Sequence, residues 1–218
     1  MTADTFEHKL SLPAKTVHVW FLDFENTPLP AASSSMISGD EIGRANAFRF
    51  EKHRTRFIAT RAMLRGLLAR YLEDRPEQIE FVAGEFGKPY LANRALQFNV
   101  SHSGSIIAIA IAHDEVGIDI EQLDRKCDVE RLARECFEPR EAGQLLALPA
   151  GERVAAFLKL WTKTEAFCKA SGCGIGQGLR QRPDNRWTIV ELDAPDGYAA
   201  SLAFVGHGYN IECFDYLP

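Results

Sequence analysis

Two short apolar segments with a two-residue alternation lie side by side near the middle of the chain. Residues 105–113 read SIIAIAIAH and residues 115–121 read EVGIDIE, with a turn between them. Successive side chains of a strand point to opposite faces of its sheet. In the second segment the apolar face therefore consists of Val116, Ile118 and Ile120. The opposite face carries Gly117, Asp119 and Glu121, so a strand with a buried pattern places two carboxylates on one side.

These two carboxylates are about 7 Å apart, and the neighbouring glycine leaves room beside them. Two like charges this close raise each other's pKa unless a cation lies between them. Carboxylate oxygens without a nearby His or Cys suit a hard cation such as Mg²⁺. A solvated polar face at the edge of a sheet explains the same pattern, so the pair alone leaves both interpretations open.

The composition is that of an ordinary globular protein. The 218 residues carry a formal net charge of −5, and 46% of them are hydrophobic. No apolar run reaches the roughly 18 residues of a membrane helix, and the N-terminus lacks the basic start and apolar stretch of a secretory signal. The five cysteines are scattered and form no CxxC pair. We therefore expect a cytoplasmic protein with reduced cysteines and no membrane partner.

Predicted strands and helices alternate along the chain, and their order in the first part resembles that in the second. The predicted strands are residues 16–24, 80–91, 96–100 (running into a loop at 101–104), 105–113, 115–121, 186–192, 198–206 and 209–216. The predicted helices are residues 41–72, 128–137, 139–147 and 152–170. This order predicts an α+β fold made of two similar halves, residues 1–113 and residues 114–218.

A second group of polar residues lies on the last predicted helix. Trp161, Glu165 and Lys169 are spaced four residues apart and therefore form one stripe along it. Glu before Lys at this spacing is also the ordinary arrangement of a surface ion pair. In the alternative interpretation, Glu165 completes an oxygen cage with Asp119 and Glu121, and Lys169 reaches a phosphate.

Basic side chains are concentrated between residues 44 and 70, in a chain that is acidic overall. This segment contains a single acid, Glu51, and eight bases, namely Arg44, Arg49, Lys52, Arg54, Arg56, Arg61, Arg65 and Arg70. Arginine binds phosphate oxygens with two parallel hydrogen bonds. A solvated helix face is the alternative interpretation. Nucleic acid is disfavoured as a partner because the net charge is negative and no stacking-aromatic motif is present.

Two further segments complete the candidate site. We expect Ser101-His102-Ser103-Gly104 to be a loop after a strand, in which His102 contacts either a phosphate or the backbone. Gly87-Lys88-Pro89 reads as a turn. Three carboxylates for Mg²⁺ and several cations for phosphate groups favour phosphoryl-type transfer from a nucleotide-like donor. The sequence contains neither a Walker loop nor a kinase signature.

Four segments resemble the Sfp-type 4′-phosphopantetheinyl transferases in order and spacing. They are GKP (87–89), FNVSHSG (98–104), VGIDIE (116–121) and WTKTEAFCKASGCGI (161–175). The resemblance implies a pseudodimer of two similar α+β halves with the active site in the cleft between them. It also implies transfer of the phosphopantetheine arm of coenzyme A to a serine of an apo acyl or peptidyl carrier protein, with release of 3′,5′-ADP.

The resemblance further implies roles for individual residues. Asp119, Glu121 and Glu165 would hold Mg²⁺ with the pyrophosphate, and Glu165, or a water that it orients, would be the base for the carrier serine. The catalytic groups would be Asp119, Glu165 and Lys169. The residues implied in binding coenzyme A are Arg44, Arg49, Arg56, Arg61, Lys88, Pro89, Ser101, His102 and Lys169. We expect a monomer because two halves in one chain already build the cleft.

One position departs from the family pattern Trp-x-x-Lys-Glu-Ala. The chain reads WTKTEA from Trp161, so Thr164 stands where a lysine is expected. Lys163 is one place early, which rotates it by about 100° around the helix. A non-catalytic descendant that binds coenzyme A or a carrier protein is therefore one alternative function, and a Mg²⁺-dependent phosphohydrolase is another.

Overall fold

Strands and helices are mixed along the chain in the computed structural model, which describes residues 9–27, 33, 35–174 and 181–216. The strands are β1 (Thr16–Asp23), β2 (Phe81–Ala83), β3 (Pro89–Leu91), β4 (Gln97–Ser103), β5 (Ile106–Ala112), β6 (Val116–Gln122), β7 (Trp187–Leu192), β8 (Tyr198–Val205) and β9 (Asn210–Asp215). The helices are α1 (Gly39–Asn46), α2 (Glu51–Leu72), α3 (Val129–Cys136), α4 (Pro139–Leu146) and α5 (Ala150–Ser171). The predicted α+β class is confirmed.

A four-stranded sheet in the order β4-β5-β1-β9 forms the first layer of strands. Strands β4, β5 and β1 are antiparallel neighbours, whereas β9 runs parallel to β1. Helix α2 covers one face of this sheet, where Leu64 and Leu67 share a core with Leu22 and Phe98. The apolar stripe of α2 is thereby buried against the sheet, which is what holds this layer together.

A three-stranded antiparallel sheet in the order β6-β8-β7 packs on the other face of the first sheet. The apolar face predicted for β6 lies in this interface, in one core with Val17 and Val19 of β1. Helix α5 covers the outer face of the second sheet through Ala166, Phe167 and Ala170. The molecule is thus layered as α2, first sheet, second sheet and α5, and the carboxylate face of β6 looks toward α5.

Helices α3 and α4 form a smaller core with the first half of α5. Val129 of α3, Leu145 of α4 and Phe157 of α5 are buried together there. This core fixes the start of α5, whose second half runs along the second sheet. No helix in the described part of the chain is long and apolar enough to cross a membrane.

The single helix predicted over residues 41–72 is wrong. Helix α1 ends at Asn46, and Phe50 has the extended backbone of a helix N-cap before α2 begins (φ −110°, ψ 131°). The cause is Glu41, whose carboxylate is buried in ion pairs with Arg61 and Arg65 of α2. A continuous helix would keep residues 41 and 61 about 30 Å apart. The chain therefore folds back to bring these charges together.

The loop expected at residues 101–104 is also wrong for its first three residues. Ser101, His102 and Ser103 continue β4 and stay paired with β5, with Ser103 opposite Ile106. The turn begins only at Gly104, whose φ of +53° favours glycine. The alternation of a strand therefore governs which of these side chains share a face.

Residues 80–91, predicted as one strand with a turn, form a separate hairpin of β2 and β3. The predicted turn is confirmed at Gly87, which has a φ of +80° and donates its backbone N–H to Gly84 O at 3.0 Å. Lys88 follows the turn directly, and Pro89 begins β3 opposite Ala83.

Candidate active site

Helix α5 lies directly on strand β6 at Gly117. A Cβ atom at this position would lie only 2.8 Å from the Cα atom of Ala170. Such an approach needs a residue without a side chain. Asp119 lies on the same face of β6 as Gly117, and Glu165 and Lys169 lie on the helix segment that makes the contact. The close crossing therefore brings these three predicted site residues together.

Asp119, Lys169 and Ser101 form a compact hydrogen-bonded cluster. The Lys169 ammonium donates to Asp119 Oδ1 at 2.6 Å and to Ser101 Oγ at 3.0 Å, and the Ser101 hydroxyl donates to Asp119 Oδ1 at 2.8 Å. Asp119 is 4% exposed. Its second oxygen, Oδ2, is buried without a hydrogen-bond partner in the described part of the chain. Burial raises the pKa of Asp119, although Lys169 acts against it.

Glu165 reaches this cluster from α5 and is 6% exposed. Burial is the main cause that raises its pKa to about 7, and the Asp119 and Glu121 carboxylates raise it further while Lys169 lowers it. The three predicted carboxylates are therefore close enough to interact electrostatically. Within the described ranges, however, no three His, Cys, Asp or Glu side chains are already arranged as a metal-binding group.

Glu121 lies further along β6 and has two partners. The Ser103 hydroxyl donates to Glu121 Oε2 at 2.9 Å, and Arg125 Nη1 donates to Oε1 at 2.6 Å. The side chain of Glu121 is 13% exposed, and that of Arg125 is 57% exposed. Glu121 therefore stands between the buried cluster and the solvent, with one partner on each side.

A cleft of 320 Å³ opens beside the cluster. Its walls come from the β2–β3 hairpin, with Lys88 and Pro89, from β4, with Val100, and from α5, with Glu165 and Lys169. Residues that lie far apart in the sequence thus share one concave surface, as expected of a ligand site.

Lys88 ties the hairpin to the wall of this cleft. Its ammonium donates to the carbonyl oxygens of Val116 at 3.1 Å and Ala170 at 2.9 Å. Burial lowers its pKa to about 8, with Glu115 raising it and Arg94 lowering it to smaller extents. The amine is therefore mostly charged at neutral pH, and one of its three N–H donors is left for a ligand.

A second cavity of 280 Å³ adjoins the first at Val100, which lines both. Arg56, Arg61 and His102 lie in its wall. Burial lowers the pKa of His102, and the charge of Arg56 lowers it further. Arg61 is already engaged in its ion pair with Glu41. Arg56 and His102 are thus the predicted cofactor-binding side chains with most freedom to meet an anion here.

Arg44 and Arg49, the remaining arginines of the predicted set, lie over aromatic rings. Each guanidinium is 5.5 Å from a ring centre, that of Phe57 for Arg44 and that of Phe50 for Arg49. Phe57 lines the second cavity, which keeps Arg44 near it, but neither arginine lines the two cavities. Of the four predicted arginines, Arg56 and Arg61 therefore line the second cavity, whereas Arg44 and Arg49 do not.

Three residues to which the sequence assigned no role of their own belong to the site. Asn99 and Cys168 line the cleft, and Ser103 bonds to Glu121. Alternate positions of β4 share a face, so Asn99 and Ser103 were predictable once residues 101–103 were taken as strand. Cys168 has no such signal, and burial raises its pKa to about 12, so its thiol is not a ready nucleophile.

Lys163 does not take the place of a lysine at position 164. Its ammonium lies 2.7 Å from Glu191 Oε1, on strand β7. Thr164 donates its hydroxyl to the carbonyl oxygen of Leu160 at 3.1 Å, along its own helix. Lys163 therefore does not supply the positive charge that the family pattern places at position 164.

Buried carboxylates beside a cleft lined by cationic side chains are typical of enzymes that act on phosphate-containing substrates. Two family models that match the sequence identify the class of enzyme. The model described as "4'-phosphopantetheinyl transferase, N-terminal" matches residues 29–114, and that of the "4'-phosphopantetheinyl transferase superfamily" matches residues 115–213. The chain belongs to the 4′-phosphopantetheinyl transferase superfamily, and the predicted enzyme class is confirmed.

Curated relatives agree over most of the chain. The 4′-phosphopantetheinyl transferase HetI of Nostoc sp. is 33% identical over 95% of this chain and 95% of its own length. A phosphopantetheinyl transferase of Thraustochytrium sp. is 31% identical over 78% of this chain and 65% of its own. A 4′-phosphopantetheinyl transferase of Bacillus subtilis is 29% identical over 74% of this chain and 73% of its own.

Proposed function

We propose that the protein transfers the 4′-phosphopantetheine group of coenzyme A to a serine of an apo acyl or peptidyl carrier protein, with Mg²⁺, and releases 3′,5′-ADP. The observation that carries this proposal is the convergence of Asp119, Glu165 and Lys169 beside a cleft that shares Val100 with a second cavity, lined by Arg56, Arg61 and His102. Family membership supplies the class of reaction.

We propose also that the cleft lies between two similar halves of a monomer. Each half has a 22-residue helix on a sheet, α2 on the first and α5 on the second. The two family matches adjoin between residues 114 and 115, close to the division predicted at 113. Strand β9 pairs with β1 and so ties the end of the second half to the sheet of the first.

The residues present fit a Mg²⁺ ion. Asp119 Oδ2 is buried without a partner, and the pKa of Glu165 is raised to about 7 by burial and by its neighbouring carboxylates. Both features are expected of carboxylates that share a cation in the working enzyme. Asp119, Glu121 and Glu165 would hold the ion, and Lys169 would move from Asp119 Oδ1 to a phosphate oxygen. The ion would neutralise charge on the pyrophosphate.

The side chains of the cleft would bind and orient the donor. His102 and Arg56 face the second cavity and would meet phosphate oxygens. Lys88 has one free N–H donor and would contact the adenosine end, with Pro89 beside it. Such positioning supplies most of the rate in phosphoryl transfer.

Glu165, or a water that it orients, would act as the base toward the carrier serine. The serine oxygen would form a bond to the phosphorus that bears the pantetheine arm, and its proton would pass to Glu165. The bond from that phosphorus to the bridging oxygen breaks, and 3′,5′-ADP leaves with the bonding electrons.

Incubation of an apo carrier protein with the enzyme, coenzyme A and Mg²⁺, followed by intact-mass measurement, tests the proposal. We expect the carrier to gain the mass of one phosphopantetheine. Binding of coenzyme A without this gain would indicate a non-catalytic descendant. Breakdown of the nucleotide without a carrier would indicate a phosphohydrolase. A panel of fatty-acid, polyketide and nonribosomal-peptide carriers would identify the acceptor.

A further inference from the structure

Side chains of β4 serve as the hydrogen-bond partners of the free edge of β6. Strand β6 pairs with β8 on one edge only, since it is the outer strand of its sheet. On the other edge its backbone N–H groups donate to side chains at alternate positions of β4. These bonds are Ile118 N to Asn99 Oδ1 (3.0 Å), Ile120 N to Ser101 Oγ (3.4 Å) and Gln122 N to Ser103 Oγ (3.0 Å).

The two serines make a second bond that ends on the carboxylates. Since each hydroxyl oxygen accepts a backbone N–H, its single proton is left to donate. Ser101 donates to Asp119 Oδ1 at 2.8 Å, and Ser103 donates to Glu121 Oε2 at 2.9 Å. The backbone of β6 thus orients each hydroxyl, and each hydroxyl orients a carboxylate that projects from the same strand.

Resting on the proposed function, we propose that Ser103 is a positioning residue that keeps Glu121 Oε2 turned toward the metal while Arg125 binds Oε1. Arg125 binds Oε1 of the same carboxylate at 2.6 Å and is more than half exposed. Ser103 and Arg125 thus hold different oxygens of the same carboxylate. A carboxylate that loses the Ser103 bond turns to Arg125 and is withdrawn from the cation.

Ser103→Ala tests this role by the dependence on Mg²⁺. We expect the Mg²⁺ concentration for half-maximal transfer to rise about tenfold, as is typical when a group that orients a metal ligand is lost. The turnover rate at saturating Mg²⁺ should stay within about threefold of the wild-type rate, because the residues that touch the substrate are unchanged. Calorimetric titration of the variant with Mg²⁺ in the presence of coenzyme A should show the same tenfold loss of affinity, independently of turnover.

Two matched variants separate positioning from general damage. Ser103→Thr keeps the hydroxyl and should keep the wild-type Mg²⁺ dependence. Ser105→Ala removes a nearby hydroxyl whose hydrogen bond goes to Asp23, outside the site, and should also leave that dependence unchanged. A Ser105→Ala variant as impaired as Ser103→Ala would overturn the specific role.

A double variant tests the competition with Arg125. When Arg125→Ala is added to Ser103→Ala, the competing partner is gone, so Mg²⁺ affinity should recover at least in part. No recovery, or an unchanged Mg²⁺ affinity in Ser103→Ala itself, would overturn the inference. Wild-type protein that binds Mg²⁺ but transfers nothing to any carrier would instead contradict the proposed function, since the calorimetric result does not depend on transfer.

Discussion

Gly117 of β6 lies against the backbone of Ala166 in α5, so closely that a methyl group at Gly117 would overlap the carbonyl oxygen of Ala166. This contact sets the distance between the strand that carries Asp119 and the helix that carries Glu165 and Lys169. The backbone of a helix cannot move aside as a flexible side chain can. The position of the catalytic cluster therefore depends on the absence of a side chain at Gly117.

Gly117→Ala is expected to lower both stability and activity. The added methyl group must push α5 away from β6, which costs about 2 kcal/mol or more in the free energy of unfolding and separates Lys169 from Asp119. Urea unfolding and the transfer assay measure the two effects. Gly143→Ala is the control, because nothing lies within 4 Å of a Cβ there. Because Gly143 lies in helix α4, this control should raise the free energy of unfolding by about 0.5–1 kcal/mol and leave transfer unchanged. Wild-type stability and activity in Gly117→Ala would show that the contact does not set the position of the cluster.

Asp119→Ala is expected to abolish transfer while the protein stays folded. The variant loses the buried oxygen that the metal would use, and the loss also frees Lys169 from its ion pair. The rate should fall by about a hundredfold or more. Asp119→Asn, which keeps the shape but not the charge, should be similarly impaired. Circular dichroism and melting curves check the fold, and full activity in either variant would rule out the metal role.

Thr164→Lys is expected to leave transfer unchanged or to raise it. Thr164 is half-buried, and among the described residues its hydroxyl bonds to Leu160 of its own helix and to no residue of the site. The new charge restores the family pattern. Its effect is measured as the rate of transfer at limiting coenzyme A. Lys163→Ala is the matched control and should have little effect, because Lys163 pairs with Glu191. A large loss of activity in Thr164→Lys would show that this part of α5 works differently from the family pattern.

His18 belongs to a buried polar network under the first sheet. The indole N–H of Trp20 donates to Tyr71 Oη at 3.2 Å, and the same oxygen is hydrogen-bonded to His18 Nδ1 at 2.6 Å. His18 Nε2 lies 3.4 Å from Glu212 Oε2, and it is buried without a hydrogen-bond partner in the described part of the chain. Burial lowers the pKa of His18 below its usual value, and Glu212 only partly offsets this.

This network predicts a loss of stability in acid. The pKa of His18 is lower in the folded protein than in the unfolded chain, so the unfolded chain binds more protons once the pH falls below about 6.5. The stability that His18 contributes at neutral pH is therefore lost as the pH falls toward its folded pKa. Urea unfolding at about pH 8 and at about pH 5 gives the free energy of unfolding at each pH. The loss of this free energy between the two pH values should be smaller for His18→Gln than for the wild type. An equal difference in both proteins would contradict this assignment.

The alternation in residues 116–121 predicted the carboxylate face of β6 correctly, because a period of two fixes which side chains share a face. It could not reveal the ion pair of Lys169 with Asp119. That contact depends on where α5 crosses the strand, which is decided by packing at Gly117 and not by local pattern.

Long-range pairings account for the other differences between sequence and structure. The break between α1 and α2 depends on the ion pairs of Glu41 with Arg61 and Arg65. No Gly or Pro at residues 47–50 predicts this break from the sequence. The parallel pairing of β9 with β1 joins the two ends of the chain and leaves no local trace in either segment. Such contacts are set by tertiary structure, which overrides local preference.

The most direct test of the central claim is a crystal structure of the protein with coenzyme A and Mn²⁺, whose anomalous scattering marks the position of the ion. We predict a peak within about 2.2 Å of oxygens of Asp119, Glu121 and Glu165, with Lys169 moved from Asp119 to a phosphate oxygen. An ion bound elsewhere, or coenzyme A bound while Lys169 still pairs with Asp119 and no ion is present, would contradict the account.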